Sequence, residues 1–164
     1  MPEVVWAPWR LAYIERATPQ GGCIFVDLPA EGKDRENLIL WRGKTGFVML
    51  NAHPYSNGHL MVAPYRHTAE IGELNEDELL EIQVLIAACV RWLRTAYGPE
   101  GFNLGCNMGK VAGAGIPDHI HWHVVPRWNG DTNFMTSIAE VRVLPQSLAD
   151  SYDRLHAIAQ EDPA

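Results

Sequence analysis

His119-Ile120-His121-Trp122-His123-Val124-Val125, closed by Pro126-Arg127, is the stretch from which the rest of the chain can be read. Histidines alternate in it with apolar residues. Period two marks a β-strand, whose successive side chains point to opposite faces. His119, His121 and His123 then share one face at steps of roughly 6.6 Å. Ile120, Trp122 and Val124 share the other, which is expected to meet the core. Three imidazoles in a row on an exposed strand face are poorly explained by packing. Each can donate, accept, attack or bind a metal near neutral pH.

Three readings compete for this face. The first is a row of solvated or packed histidines. The second is a metal site, since imidazole is the commonest zinc ligand; His119 and His123 would stand roughly 13 Å apart on a strand, too far to share one ion, but two of the three could still bind one ion with a ligand from elsewhere. The third is nucleophilic catalysis, in which a central His121 attacks phosphorus while its neighbours orient it and serve the leaving group. That reading needs a phosphate cradle. Asn107-Met108-Gly109-Lys110-Val111-Ala112-Gly113-Ala114-Gly115-Ile116-Pro117 lies immediately upstream. Its glycines permit positive φ and close approach of backbone, so N–H groups can gather around an anion.

Together, the glycine-rich loop and the histidine strand resemble the histidine triad superfamily of nucleotide hydrolases and transferases. Phe47-Val48-Met49-Leu50-Asn51 and Asn57-Gly58-His59-Leu60-Met61-Val62-Ala63-Pro64 are similar to that family's first strand pair. Trp128, Gly130-Asp131, Asn133-Phe134 and Val143-Leu144-Pro145 resemble the branch containing fragile histidine triad hydrolases and bacterial diadenosine tetraphosphate phosphorylases. The resemblance implies a role for each matched residue. His121 is the nucleophile toward an α-phosphorus, His123 serves the phosphate oxygens and the leaving group, and His119 fixes the ring of His121, with His59 behind it. The N–H groups of Gly113, Ala114, Gly115 and Ile116 hold phosphate oxygens, with Asn107 nearby. Asn51 meets the ribose, and Met49, Leu50 and Met61 offer apolar surface to the base.

The chain departs from the family pattern in two places. Gly115 and Ile116 replace a polar side chain that many relatives carry, so help to the phosphate falls to the backbone. Ala114-Gly115 stands where close phosphorylases often have Gly-Ser, which leaves water and phosphate both open as acceptor. Some relatives also carry Cys-x-x-Cys near the N-terminus as half of a structural zinc site. Here the segment reads Cys23-Ile24-Phe25-Val26. With the second thiol gone, no metal is expected and no cofactor is required, beyond a Mg²⁺ that could travel with substrate phosphates. His53, His67 and His156 match no site and are expected at the surface.

Composition sets the outer limits. The 164 residues suit one domain, spanning 1–164 with its core at about 37–128. A net charge of −7 argues against a duplex nucleic-acid partner, whose affinity rests on Lys and Arg. No run of 18 apolar residues suggests a membrane span, and the N-terminus lacks the form of a secretory signal. Cys23, Cys89 and Cys106 are odd in number and unpaired in spacing, so a reducing cytoplasm is expected.

The remaining elements follow from periodicity. Residues 6–14 are rich in aromatics and read as a segment with a short helix over 8–16, packing on the body or edging the pocket with Trp6 or Trp9. Residues 28–36 read as a surface loop. Strands are predicted over 38–41 and 46–51, joined as a hairpin, then over 59–65 and 102–107. Asn75 and Glu78 form a capping box for a long helix with Leu79, Ile82, Ile86, Val90, Leu93 and Tyr97 on its core stripe, stopped by Gly98-Pro99. A last helix starts near Pro145, with Leu148, Tyr152, Leu155 and Ile158 on one side. The expected architecture is an α+β fold, an antiparallel sheet carrying the long helix and the C-terminal helix. The resemblance adds a homodimer joined edge to edge. An alternative activity is hydrolysis of nucleoside phosphoramidates; a nucleotide sensor and a metal-dependent hydrolase stand further off.

Overall fold

The computed structural model describes residues 22–131 and 145–164. Helix α1 (Ile24–Ala30) comes first, then β1 (Ile39–Arg42), β2 (Gly46–Leu50), β3 (Leu60–Pro64) and a 3₁₀ turn (Ile71–Glu73). Helix α2 (Glu76–Tyr97), β4 (Gly101–Cys106), a second 3₁₀ turn (Lys110–Ala112), β5 (Trp122–Arg127) and α3 (Leu148–Glu161) complete the order. The five strands form one antiparallel sheet in the order β1-β2-β3-β5-β4. The fold is α+β.

Alternation in the strands is used on both faces. Val48, Leu50, Leu60, Val62, Trp122 and Val124 point to one side, where they pack with Ile82, Leu85, Cys89, Trp92 and Leu93 of α2 and Tyr152, Leu155 and Ala159 of α3. Phe47, Met49, Met61 and Ala63 point to the other side and pack under Phe25 of α1. Central strands covered on both faces lose the polar half of their pattern, and β2 and β3 are buried at every residue.

Helix α2 begins as its sequence dictates. The Asn75 side chain accepts from the Glu78 N–H at 2.9 Å, and Glu78 Oε2 accepts from the Asn75 N–H at 2.8 Å. Gly98 ends it in the left-handed conformation, φ 56°, which costs glycine no Cβ clash. The buried stripe is centred on Ile82, Leu85, Cys89 and Trp92, a little to one side of the expected line. Burial against both the sheet and α3 draws the helix round. In α3, the hydroxyl of Ser147 accepts from the Asp150 N–H, and Tyr152 donates its phenol proton to the Ile39 carbonyl at 3.1 Å.

Three expectations need correction. The loop expected over residues 28–36 starts later, because α1 runs to Ala30. This seven-residue helix has no side-chain cap and contains Pro29, so local signals for it are weak; the wholly buried Phe25 holds it in place. The histidine strand begins at Trp122, and His119–His121 precede the sheet ladder, tied by the Ile120 N–H to the Thr68 carbonyl at 2.7 Å. The histidine face is also covered, not exposed: His119 and His121 are only 1% and 4% accessible. The aromatic segment at residues 6–14, with Asn133-Phe134 and Val143-Leu144, lies outside the described residues.

Candidate active site

The histidines are held by main-chain partners that assign their protons. A carbonyl can only accept, so a ring nitrogen facing one must donate. His121 Nδ1 stands 2.8 Å from the His119 carbonyl and donates to it, which leaves the lone pair on Nε2. His119 itself donates through Nε2 to the Pro64 carbonyl at 2.9 Å, leaving its Nδ1 as the acceptor. The Tyr55 N–H donates to His59 Nδ1 at 3.1 Å, with the Asn51 amide 3.4 Å away on the same atom. His59 therefore carries its proton on Nε2 and donates it to His123 Nδ1 at 3.0 Å. His123 in turn keeps its own proton on Nε2. One site thus presents a basic nitrogen on His121 and a protonated nitrogen on His123, in rings 5.0 Å apart.

Packing sets the electrostatics. The Phe25 ring lies 4.6 Å from that of His121 and 5.2 Å from that of His119. Burial under it disfavours the charged imidazolium and lowers the His121 pKa, against the opposing pull of the His119 carbonyl. The same burial takes His119 down to about 4. Both rings are neutral at pH 7.

The expected site residues are brought together with some rearrangement. His119 supports His121 through its main-chain oxygen and not its ring, and His59 stands behind His123 instead of His119. Met49 and Met61 lie on the histidine side, Met61 in register with His123. Leu50 does not: it points into the helix-side core, because it alternates with Met49, so it cannot face a base at this site. Asn51 is buried, and its Oδ1 accepts from the His53 N–H at 2.8 Å. In the loop after Asn107, Gly109 and Gly113 take φ of 78° and 91°, the region that favours glycine. The Gly113 and Ala114 N–H groups turn inward to Lys110 and Gly109 carbonyls, so they are spent within the loop. Among the described residues no acceptor meets the N–H of Gly115 or Ile116, and Ile116 packs at the edge of the Phe25 cluster.

Two residues were not singled out by sequence reasoning. Tyr55 supplies the N–H that fixes His59, and its ring lies 4.5 Å from His59 and 5.7 Å from His123. A main-chain donor leaves no residue-type signal. His67, exposed as expected, nevertheless stands beside His119, ring to ring at 5.2 Å. Its segment runs along residues 119–120 through the Thr68–Ile120 bond. Donor atoms of Cys23, His67 and His119 all lie within 4.8 Å of one another, a grouping able to hold a metal ion.

The HIT domain family matches residues 33–130 of the chain. Over 155 residues the chain is 38% identical to the AP-4-A phosphorylase of Mycobacterium tuberculosis, a match covering 90% of this chain and 79% of that protein. Similarity to adenosine 5′-monophosphoramidase hnt1 of Schizosaccharomyces pombe is 29% over 107 residues, 61% of this chain and 77% of the relative. Among solved structures, a zinc-bound histidine triad family protein from Mycobacterium smegmatis superposes with a TM-score of 0.69 at 26% identity, covering 86% of this chain and 96% of that one.

Proposed function

We infer the function from one premise: this chain belongs to the HIT domain family, and it is a nucleotide hydrolase or transferase of the HIT type. We propose that it cleaves dinucleoside polyphosphates such as diadenosine tetraphosphate at an α-phosphate, through a nucleotidyl-histidine intermediate. The observation that carries this reading is the assignment of protons across the site, a lone pair on His121 Nε2 beside a proton on His123 Nε2.

The His121 Nε2 lone pair forms a bond to the α-phosphorus, and the bond from phosphorus to the bridging oxygen breaks. The leaving polyphosphate departs as its anion, with the bridging oxygen hydrogen-bonded by the His123 Nε2–H. His59, with Nε2–H against His123 Nδ1, keeps His123 in this donating tautomer. The acceptor, phosphate or water, then attacks the same phosphorus, the bond to His121 Nε2 breaks, and any proton the acceptor carries passes to solvent. Splitting one hard displacement into two easier ones is the gain of covalent catalysis. The N–H groups of Gly115 and Ile116, which meet no acceptor among the described residues, would serve the phosphoryl oxygens, where fixed donors stabilise developing charge. Met49 and Met61 offer the base its apolar contact, and Asn51 the ribose its polar one. Adenine nucleotides fit the relatives' substrates.

Phosphate is the favoured acceptor, on the likeness to AP-4-A phosphorylase across nine-tenths of the chain. Incubation with diadenosine tetraphosphate, with and without inorganic phosphate, tests it. ADP plus ATP formed only with phosphate supports phosphorolysis, AMP plus ATP in either case means hydrolysis, and no cleavage contradicts the proposal. The working unit is a homodimer in the cytoplasm. Its support is β4, an edge strand that leaves Leu104 half exposed.

A further inference from the structure

We propose that Tyr55 selects substrates with a second nucleoside in the leaving group, by stacking its exposed ring on the base of that nucleoside. The proposal rests on the reading of this site as one that cleaves dinucleoside polyphosphates.

Four rings of the site follow one another. Phe25 lies 4.6 Å from His121, His121 lies 5.0 Å from His123, and His123 lies 5.7 Å from Tyr55, centroid to centroid. With Phe25 go Met49 and Met61, the apolar surface for the base of the nucleotide under attack. In the proposed reaction His123 serves the leaving oxygen, so the departing group runs out past His123, where Tyr55 stands. Exposure is a second observation. Among the described residues Tyr55 is the one exposed Phe, Tyr or Trp, at 42%, while His59, 4.5 Å from its ring, is fully buried. The ring thus rests on the buried histidines and keeps surface free for a ligand in solvent.

The segment that carries Tyr55 is held in place before any ligand arrives. The Tyr55 N–H donates to His59 Nδ1 at 3.1 Å, and the Ser56 hydroxyl donates to the Pro126 carbonyl at 2.8 Å. On the other side, the His53 N–H donates to Asn51 Oδ1 at 2.8 Å. A platform already ordered loses little freedom when a base settles on it. Bases stack on tyrosine through their π-faces, with no reading of a base edge. The selection is therefore for the presence of a second nucleoside and not for its identity. It favours dinucleoside polyphosphates over nucleoside polyphosphates that end in a bare phosphate. The bond that fixes His59 comes from the Tyr55 main chain, so it survives replacement of the ring.

Diadenosine tetraphosphate and adenosine 5′-tetraphosphate differ by one adenosine at the leaving end. The ratio of their kcat/KM values is measured for wild type, Tyr55→Ala, Tyr55→Leu and Tyr55→Phe. The ratio of their affinities is read in parallel by equilibrium binding, with each Tyr55 variant placed in the His121→Asn background. Preference for the dinucleotide should fall by about tenfold or more in Tyr55→Ala and Tyr55→Leu, and Tyr55→Phe should keep it. Tyr55→Leu fills the space against His59 and serves if the alanine variant fails to fold. Both ratios unchanged in Tyr55→Ala and Tyr55→Leu, with the two substrates weakened alike, would overturn the proposal and leave the ring as packing for His59. A loss in Tyr55→Phe as large as in Tyr55→Ala would overturn stacking and assign the contact to the hydroxyl. Wild-type protein that cleaves neither compound would sink the proposed reaction itself, while the affinity ratio still decides the role of Tyr55.

Discussion

At the scale of single residues, the proposed chemistry rests on two nitrogen atoms: the Nε2 lone pair of His121 and the protonated Nε2 of His123. His121→Asn should leave nucleotide binding in place and lower kcat by several orders of magnitude, read by equilibrium binding beside steady-state rates. His59→Ala should cost about 10²-fold or more in kcat with little change in KM, since the donor that sets the tautomer of His123 is lost. His59→Gln, whose amide can donate in its place, should recover part of that loss. The lowered pKa of His121 also fixes a pH limb. Its neutral form, the proposed nucleophile, persists below the ordinary histidine value, so the acid limb of kcat/KM should lie below about 6.5. A limb at or above 7 in a pH–rate profile would count against this. The three triad histidines and the glycine loop were legible in their alternation and spacing. Which nitrogen holds which proton was not, because Tyr55, Pro64 and the His119 main chain act through groups common to every residue.

At the scale of elements, α1 and α2 serve the site differently. Helix α1 lays Phe25 over the histidines and makes their surroundings apolar. Phe25→Ala should lower stability by about 3–5 kcal/mol, measured by denaturant unfolding. It should also wet His121 and move the acid limb upward toward the unperturbed value. Helix α2 is anchored by Glu78, which caps Asn75 and pairs with Arg66 at 2.7 Å. The Arg66 guanidinium holds the Glu78 carboxyl down at about 2. A carboxylate with a depressed folded pKa stabilises the native state above its unfolded value, and that stability drains away as protonation sets in. The window here runs from about pH 4.5 down to about 2. Arg66→Ala should flatten the fall in stability across it, followed by thermal unfolding in acid buffers. Helix α2 was legible from end to end because its caps and stripe agree; α1 was not, since seven uncapped residues around a proline are stable only under tertiary contact.

At the scale of the molecule, one sheet separates scaffold from chemistry. Helices α2 and α3 fill one side, and the histidines, Met49, Met61 and Phe25 occupy the other. The α+β class followed from period-two and helical patterns, as did the positions of β1 to β4 to within about one residue, while the histidine strand starts later than its alternation suggests. The strand order β1-β2-β3-β5-β4, which sets His59 behind His123, needs the register between β3 and β5 and is written in no local stretch. In the proposed homodimer, the sheet edge at β4 would seat the second subunit. Leu104→Asp should lower the mass seen by light scattering from dimer to monomer while leaving the secondary structure intact. A covalent bond between nucleotide and His121 is the central step of the proposed mechanism. It is tested most directly by mixing enzyme with diadenosine tetraphosphate on the millisecond scale, quenching in base, where a phosphoramidate survives, and mapping the adduct by mass spectrometry. The expected result is a nucleotidyl group on His121 that appears with the first product burst and is absent from His121→Asn. Product burst without any adduct, an adduct on another side chain, or net inversion at the α-phosphorus would contradict it.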